Sequence, residues 1–303
     1  MKPAIKNLEA RTVTRRTVLG GALAGAVASM VPPKLLAEFA APNPFGGSGD
    51  NRALSPRADL YAFPGVQPGT TVIAATWPVS LNRFDWSAQK KSQVTIHAGS
   101  QKWNVTLPGG TMDSGLFEEH GCRVFAGKVA TQPGTDGFFL KAVVIEIPER
   151  ILSSSGPMEI WVERVMHTGL RRRIGSPFVA ALVEEDAGLA NSYHTLSPSD
   201  DRAMLTPAVA NAIAAKARKS GMASDPDAHG RRLASRVLPD VLRYDPQMPS
   251  GFTFAAQNGR HPEERSDLVV DTILSGSPAS GAAKADVRLQ ERFPFFSRQE
   301  SVS

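Results

Sequence analysis

A single cysteine, Cys122, stands in 303 residues. One thiol excludes an intramolecular disulfide and any cysteine-built zinc or iron–sulfur site. Long apolar runs are scarce as well. The best is Val18 to Val31, 14 residues rich in Gly and Ala, too short for a membrane span of about 20 residues. The sequence has no Gly-x-Ser-x-Gly elbow, phosphate loop or Gly-x-Gly-x-x-Gly fingerprint, which removes the usual signs of a serine hydrolase, a nucleotide hydrolase or a dinucleotide-binding enzyme. Neither an internal repeat nor a coiled-coil pattern is found. None of the six histidines shows the i, i+4 spacing of a helical zinc site.

What is present is globular composition: 42% hydrophobic, 21% charged, which excludes wholesale disorder and collagen-like structure. The net charge of +5 is localised. Residues 1–40 hold six basic side chains against Glu9 and Glu38, a balance of +4. The remaining body is close to neutral and offers no general field for nucleic acid or anionic lipid.

That basic segment reads as an address. Arg15 and Arg16 precede the weakly apolar run, and small residues follow. The pattern resembles the bacterial twin-arginine translocation signal. The expectation is export of a folded protein to the periplasm or beyond, with the translocation machinery as a partner and no permanent membrane span. Cleavage sites are offered after Ala26-Val27-Ala28 and near Ala37 to Ala41. Export of folded chains suits proteins that take up a cofactor in the cytoplasm and proteins that fold too fast to be threaded.

The domain plan is a signal segment over 1–40, a Pro/Gly/Ser/Asn-rich linker over 41–56, one β-rich domain over 57–297 and a tail over 298–303. Strands are predicted at Thr71–Thr76, Gln93–His97, Lys102–Leu107, Cys122–Val129, Phe138–Ile147 and Met158–Val165, punctuated by Pro-Gly turns. One helical turn is expected over Pro148–Leu152. Strands so spaced, without intervening helices, predict an antiparallel sandwich-like core, with helical insertions in the C-terminal half. Thr206 and Pro207 read as the cap and first residue of a helix reaching Lys219 and ending at Gly221. Further helices are expected at Gly230–Leu238 and Pro262–Leu274, the latter closed by Gly276. Phe293-Pro294-Phe295-Phe296 reads as a last apolar anchor.

Four phrases in order carry a family likeness: Ala58 to Phe63; Val124 to Lys128 with Asp136 to Phe139 and Val144 to Pro148; Arg173 to Pro177; and Asn258-Gly259-Arg260 with Val269-Val270-Asp271. Together they resemble the bacterial "domain of unknown function 4331" family. The likeness spans roughly residues 55–297 and implies a mostly β, exported protein without an established activity. Asp50 to Leu54 and Asp136-Gly137 depart from the family pattern.

Candidate site residues divide between chemistry and packing. Asp59 is a possible metal ligand, or a turn cap or arginine partner while Tyr61 and Phe63 fill the core. Arg260 and His261 would form an anion-binding lip, or belong to a Gly-Arg-His-Pro helix start with Glu263 and Glu264. Arg171-Arg172-Arg173 cannot all serve one site, because strand neighbours point to opposite faces. Asp225-x-Asp227-x-His229 is the best local metal candidate, or a solvated loop. Cys122 is a reactive thiol or a small core residue. The four tryptophans would stack on sugar rings if exposed together, or pack inside. The functional expectation is a non-catalytic ligand-binding or accessory module. Its pocket would gather Asp59, Asp136, Arg173, Arg260 and His261 for a small molecule, anion or metal. The alternative is a metal-assisted hydrolase or lyase built from distant loops.

Overall fold

The computed structural model describes residues 58–80, 92–107, 115–119, 121–130, 138–152, 156–165, 171–183, 187–221, 223–253, 256–264, 266–276 and 289–297. All lie in the compact unit Pro42–Ser303. Arg15, Arg16, Trp86, His120, Asp136 and His167 fall outside the described residues.

Two five-stranded antiparallel sheets form the β core. Sheet A contains β1 (Asp59–Pro64), β2 (Thr70–Ser80), β5 (Gly115–Glu119), β6 (Cys122–Val129) and β7 (Phe138–Pro148) in the order β1-β2-β7-β6-β5. Sheet B runs β10 (Leu242–Tyr244), β8 (Met158–Val165), β3 (Ser92–Ala98), β4 (Gln101–Leu107), with β9 (Arg171–Ile174) also on β8. A two-residue pair, β11 (Gly251–Phe252) with β12 (Gln257–Asn258), lies beyond. The sandwich-like, mainly β reading is what the chain adopts, and every predicted strand is present. The expected helical turn is a short 3-10 turn at Glu149–Ile151.

The strand sequences explain the layering. Period-2 alternation puts Ile73, Ala75, Val143, Ile145, Val124 and Ala126 of sheet A into one core with Val94, Ile96, Val105, Ile160 and Val162 of sheet B. The opposite face of sheet A is apolar too. Tyr61, Phe63, Val72, Ala74, Phe125, Leu140 and Val144 form a second core under Phe295 and Phe296. Sheet A therefore reads as near-continuous hydrophobic runs, while sheet B alternates.

Among the described residues, five helices follow: α1 (Pro177–Val183), α2 (Ala187–Thr195), α3 (Asp201–Ser220), α4 (Pro226–Val237) and α5 (Ser266–Ser275). They extend the first core through residues such as Val179, Leu205, Val209, Ile213 and Leu233. Among the described residues, no helix is long and apolar enough to cross a membrane.

Three helix starts differ from expectation. Thr206 is not a cap and Pro207 is not a first residue: α3 begins at Asp201, continuing a 3-10 turn at Pro198–Asp200. Pro207 and Ala203 are both exposed, so water reaches the carbonyl that lacks an N–H partner. Gly221 ends the helix at φ 70° as expected. The second helix starts earlier, because the Asp225 carboxylate accepts the Ala228 N–H at 2.9 Å as a cap. Gly230 then lies inside α4, where a Cβ would stand 2.3 Å from the Ala210 carbonyl oxygen of α3. The third helix starts later, at Ser266, because Glu264 is used in a turn. Its carboxylate accepts N–H bonds from His261 at 2.8 Å and Phe252 at 3.2 Å.

Candidate functional site

The sequence-selected charges form two separate clusters. Arg173 sits in the first. Its guanidinium meets the Asp201 carboxylate at 2.7 Å, with side-chain exposures of 2% and 0%. It also donates to the Leu196 carbonyl at 2.9 Å and lies 4.2 Å over the Tyr193 ring. Asp201 accepts the Asp240 backbone N–H at 2.8 Å. Asp240 in turn accepts from the Ser176 N–H and hydroxyl, both at 2.7 Å, and from the Tyr193 hydroxyl at 2.5 Å. At Gly175 a Cβ would stand 2.2 Å from the Asp240 carbonyl oxygen, so only glycine admits this approach.

Burial governs the proton states here. Burial and then the Asp240 carboxylate push the Tyr193 phenol well above its ordinary value, so it stays protonated and donates. Burial pushes Asp240 up as well, opposed by Arg173 and by the bonds from Tyr193 and Ser176. Burial works against the Arg173 charge, but Tyr193, Asp240 and Asp201 hold it above its ordinary value. Burial, with Arg172 and Arg173, pulls His194 down to about 3. Its ring is neutral, and Nδ1 accepts the Arg173 N–H at 3.1 Å. This cluster clamps β9, α2, α3 and the segment after α4. The Arg173 guanidinium is buried in these contacts, with its Nε alone lacking a hydrogen-bond partner.

The second cluster joins Asp59, Arg260 and His261. Asn258 prepares it by donating to the carbonyls of Asp245, Met248 and Pro249 at 3.0–3.1 Å. Gly259 turns at φ 71°, and a Cβ there would lie 2.2 Å from the Ala62 carbonyl oxygen. Arg260 then exchanges both backbone hydrogen bonds with Ala62, at 3.1 and 2.8 Å. Its guanidinium bonds Asp59 at 2.5 Å and lies 4.7 Å over the Tyr61 ring. The His261 ring meets Phe63 edge-on at 4.6 Å. The expected anion lip is thus an edge clamp: Arg260 covers the free side of β1 and is committed to Asp59.

The local metal candidate also resolves into packing. Asp225 caps α4, Asp227 pairs with Arg218, and His229 Nε2 lies 3.2 Å from the Ile273 and Leu274 carbonyls. No group of three or more His, Cys, Asp or Glu side chains is placed to hold a metal among the described residues. Cys122, Trp77 and Trp103 are buried.

The surface that sequence reasoning did not assemble is the outer face of sheet B. Cross-strand register sets Trp161 opposite His97 and His97 opposite Lys102. The next row is Glu163, Thr95 and Asn104. The Trp161 and His97 rings stack at 3.7 Å, 7° from parallel, and both are half-buried. Thr95 donates to Asn104 Oδ1 at 2.9 Å. Arg171 pairs with Glu163 at 3.0 Å, and Arg243 lies 3.9 Å from Glu159. Burial and the Lys102 charge pull His97 down to about 4, so this ring is neutral at physiological pH. The available signal was the alternation itself: Trp161 shares parity with Glu159 and Glu163, opposite Ile160 and Val162. The β3–β8 pairing that brings His97 to it spans dozens of residues and has no local signature.

No family model, curated protein or solved structure matches the chain.

Proposed function

We propose that the chain is an exported, non-catalytic binding module of the bacterial cell envelope, and that the outer face of sheet B is its ligand surface. One observation carries this reading. Sheet A packs an apolar core against each face, with charged side chains such as Arg123, Lys128, Lys141 and Glu146 interspersed toward its edges and ends. Sheet B instead presents an outward row of Trp161, His97, Thr95, Asn104 and Glu163 that is polar and partly exposed. The buried ion pair Arg173–Asp201 and the partly buried pair Arg260–Asp59 fasten elements together. The basic N-terminal segment with Arg15 and Arg16 supports delivery across the inner membrane by the twin-arginine route.

Two measurements test it. Arg15→Lys combined with Arg16→Lys is expected to leave precursor in the cytoplasm; normal periplasmic yield of that variant contradicts export by this route. Scanning calorimetry of the mature protein with divalent metals, small anions and soluble oligosaccharides is expected to show a raised Tm with one class. Turnover of any of these probes would instead place the chain among enzymes.

A further inference from the structure

We propose that the outer face of sheet B binds a neutral carbohydrate chain, with Trp161 and His97 as its stacking platform and Thr95, Asn104 and Glu163 as the polar row beside it. The inference rests on the binding-module reading above and names the ligand class.

A pyranose ring has an apolar C–H face and a rim of hydroxyls that both donate and accept. A tryptophan ring face carries negative quadrupole charge that attracts polarised C–H groups. Trp161 offers such a ring: the parallel His97 ring covers one face at 3.7 Å, and the side chain is only half-buried. The neighbouring row supplies rim partners of both kinds. Asn104 donates through Nδ2; Thr95, whose proton goes to Asn104 Oδ1, accepts, and Glu163 accepts. Same-face rows two residues apart lie about 7 Å from each other along a strand, a distance one sugar ring with its hydroxyls bridges.

Charge argues for a neutral ligand. Arg171 faces Glu163 and Arg243 faces Glu159, so opposite charges on this face answer each other. Lys102 adds one positive charge beside His97. No concentrated field of one sign is available to select an anion or a cation. His97 Nε2 is buried, so this ring acts through its face on Trp161 and leaves the hydroxyl contacts to the neighbouring row.

The test is calorimetric titration of the mature protein with cellohexaose, maltohexaose and chitohexaose. Saturable binding to at least one is expected. Trp161→Ala should weaken it at least about tenfold, with an unchanged circular dichroism spectrum, while Trp161→Phe retains part of it. Asn104→Ala, at an exposed position, provides a second lesion should Trp161→Ala unfold, and should also weaken binding. Absence of binding to all three sugars, or wild-type binding by these variants, overturns the proposal. Stabilisation by a metal or small anion that Trp161→Ala abolishes would overturn the carbohydrate assignment and leave the binding module standing. No response to any probe class would overturn both.

Discussion

Arg173 and Asp201 form a 2.7 Å ion pair in which neither side chain reaches solvent. The pair joins β9 of sheet B to the first residue of α3, and Asp201 continues to the Asp240 backbone. Removing one partner leaves the other charge buried and unpaired, which costs about 3–5 kcal/mol. Arg173→Met is therefore expected to lower unfolding stability by that order in urea titrations. A loss below about 1 kcal/mol would mean that the cluster behaves like a surface pair.

Acid should weaken the fold through His194. Its folded-state value is depressed to about 3, while an exposed histidine titrates near its ordinary value, about 6.5. Between those values the unfolded chain binds the extra proton, so stability falls as pH falls. The expected contribution is about 1 kcal/mol per pH unit below pH 6. His97, depressed to about 4, acts in the same direction. His194→Asn keeps an acceptor for the Arg173 N–H, and should flatten the decline of Tm between pH 6.5 and 4.5. An identical slope in that variant would contradict the assignment.

Gly230 tests the helix packing. An alanine would improve helix propensity by about 1 kcal/mol. Its Cβ, however, would stand 2.3 Å from the Ala210 carbonyl oxygen, which is backbone and cannot swing aside. Gly230→Ala should therefore destabilise by about 1–3 kcal/mol. A rise in Tm would show that α3 and α4 lie farther apart.

The C-terminal anchor should behave as core. Phe296 is fully buried and meets Tyr61 at 5.9 Å between ring centroids. Phe296→Ala is expected to lose about 3–5 kcal/mol, measured by denaturant titration. A loss within about 0.5 kcal/mol, as at an ordinary surface position, would show that the segment does not seal sheet A.

Strand positions were legible because alternation and turn residues are local. Cys122–Val129 and Met158–Val165 coincide with β6 and β8. Helix starts were less so. Asp201 begins α3 for the sake of Arg173, 28 positions earlier, whereas the local Thr206-Pro207 signal points six residues late. The candidate site divided in the same way. Asp59, Arg260 and His261 belong to one region, but Arg173 belongs to another cluster, because long-range pairing decides which charge a guanidinium meets. The phrases Arg173 to Pro177 and Asn258 to Arg260 stand out for packing reasons. Each combines an arginine paired with a carboxylate from a distant element and a glycine that lets two backbones touch.

Chemical-shift mapping by NMR tests most directly which surface does the work, using whichever probe most raises Tm. The expected result is perturbation of the Trp161 indole N–H and of amides in β3, β4 and β8, with Asp59 and Arg260 unmoved. Shifts centred on Asp59 and Gly259 to His261, with sheet B silent, would contradict it.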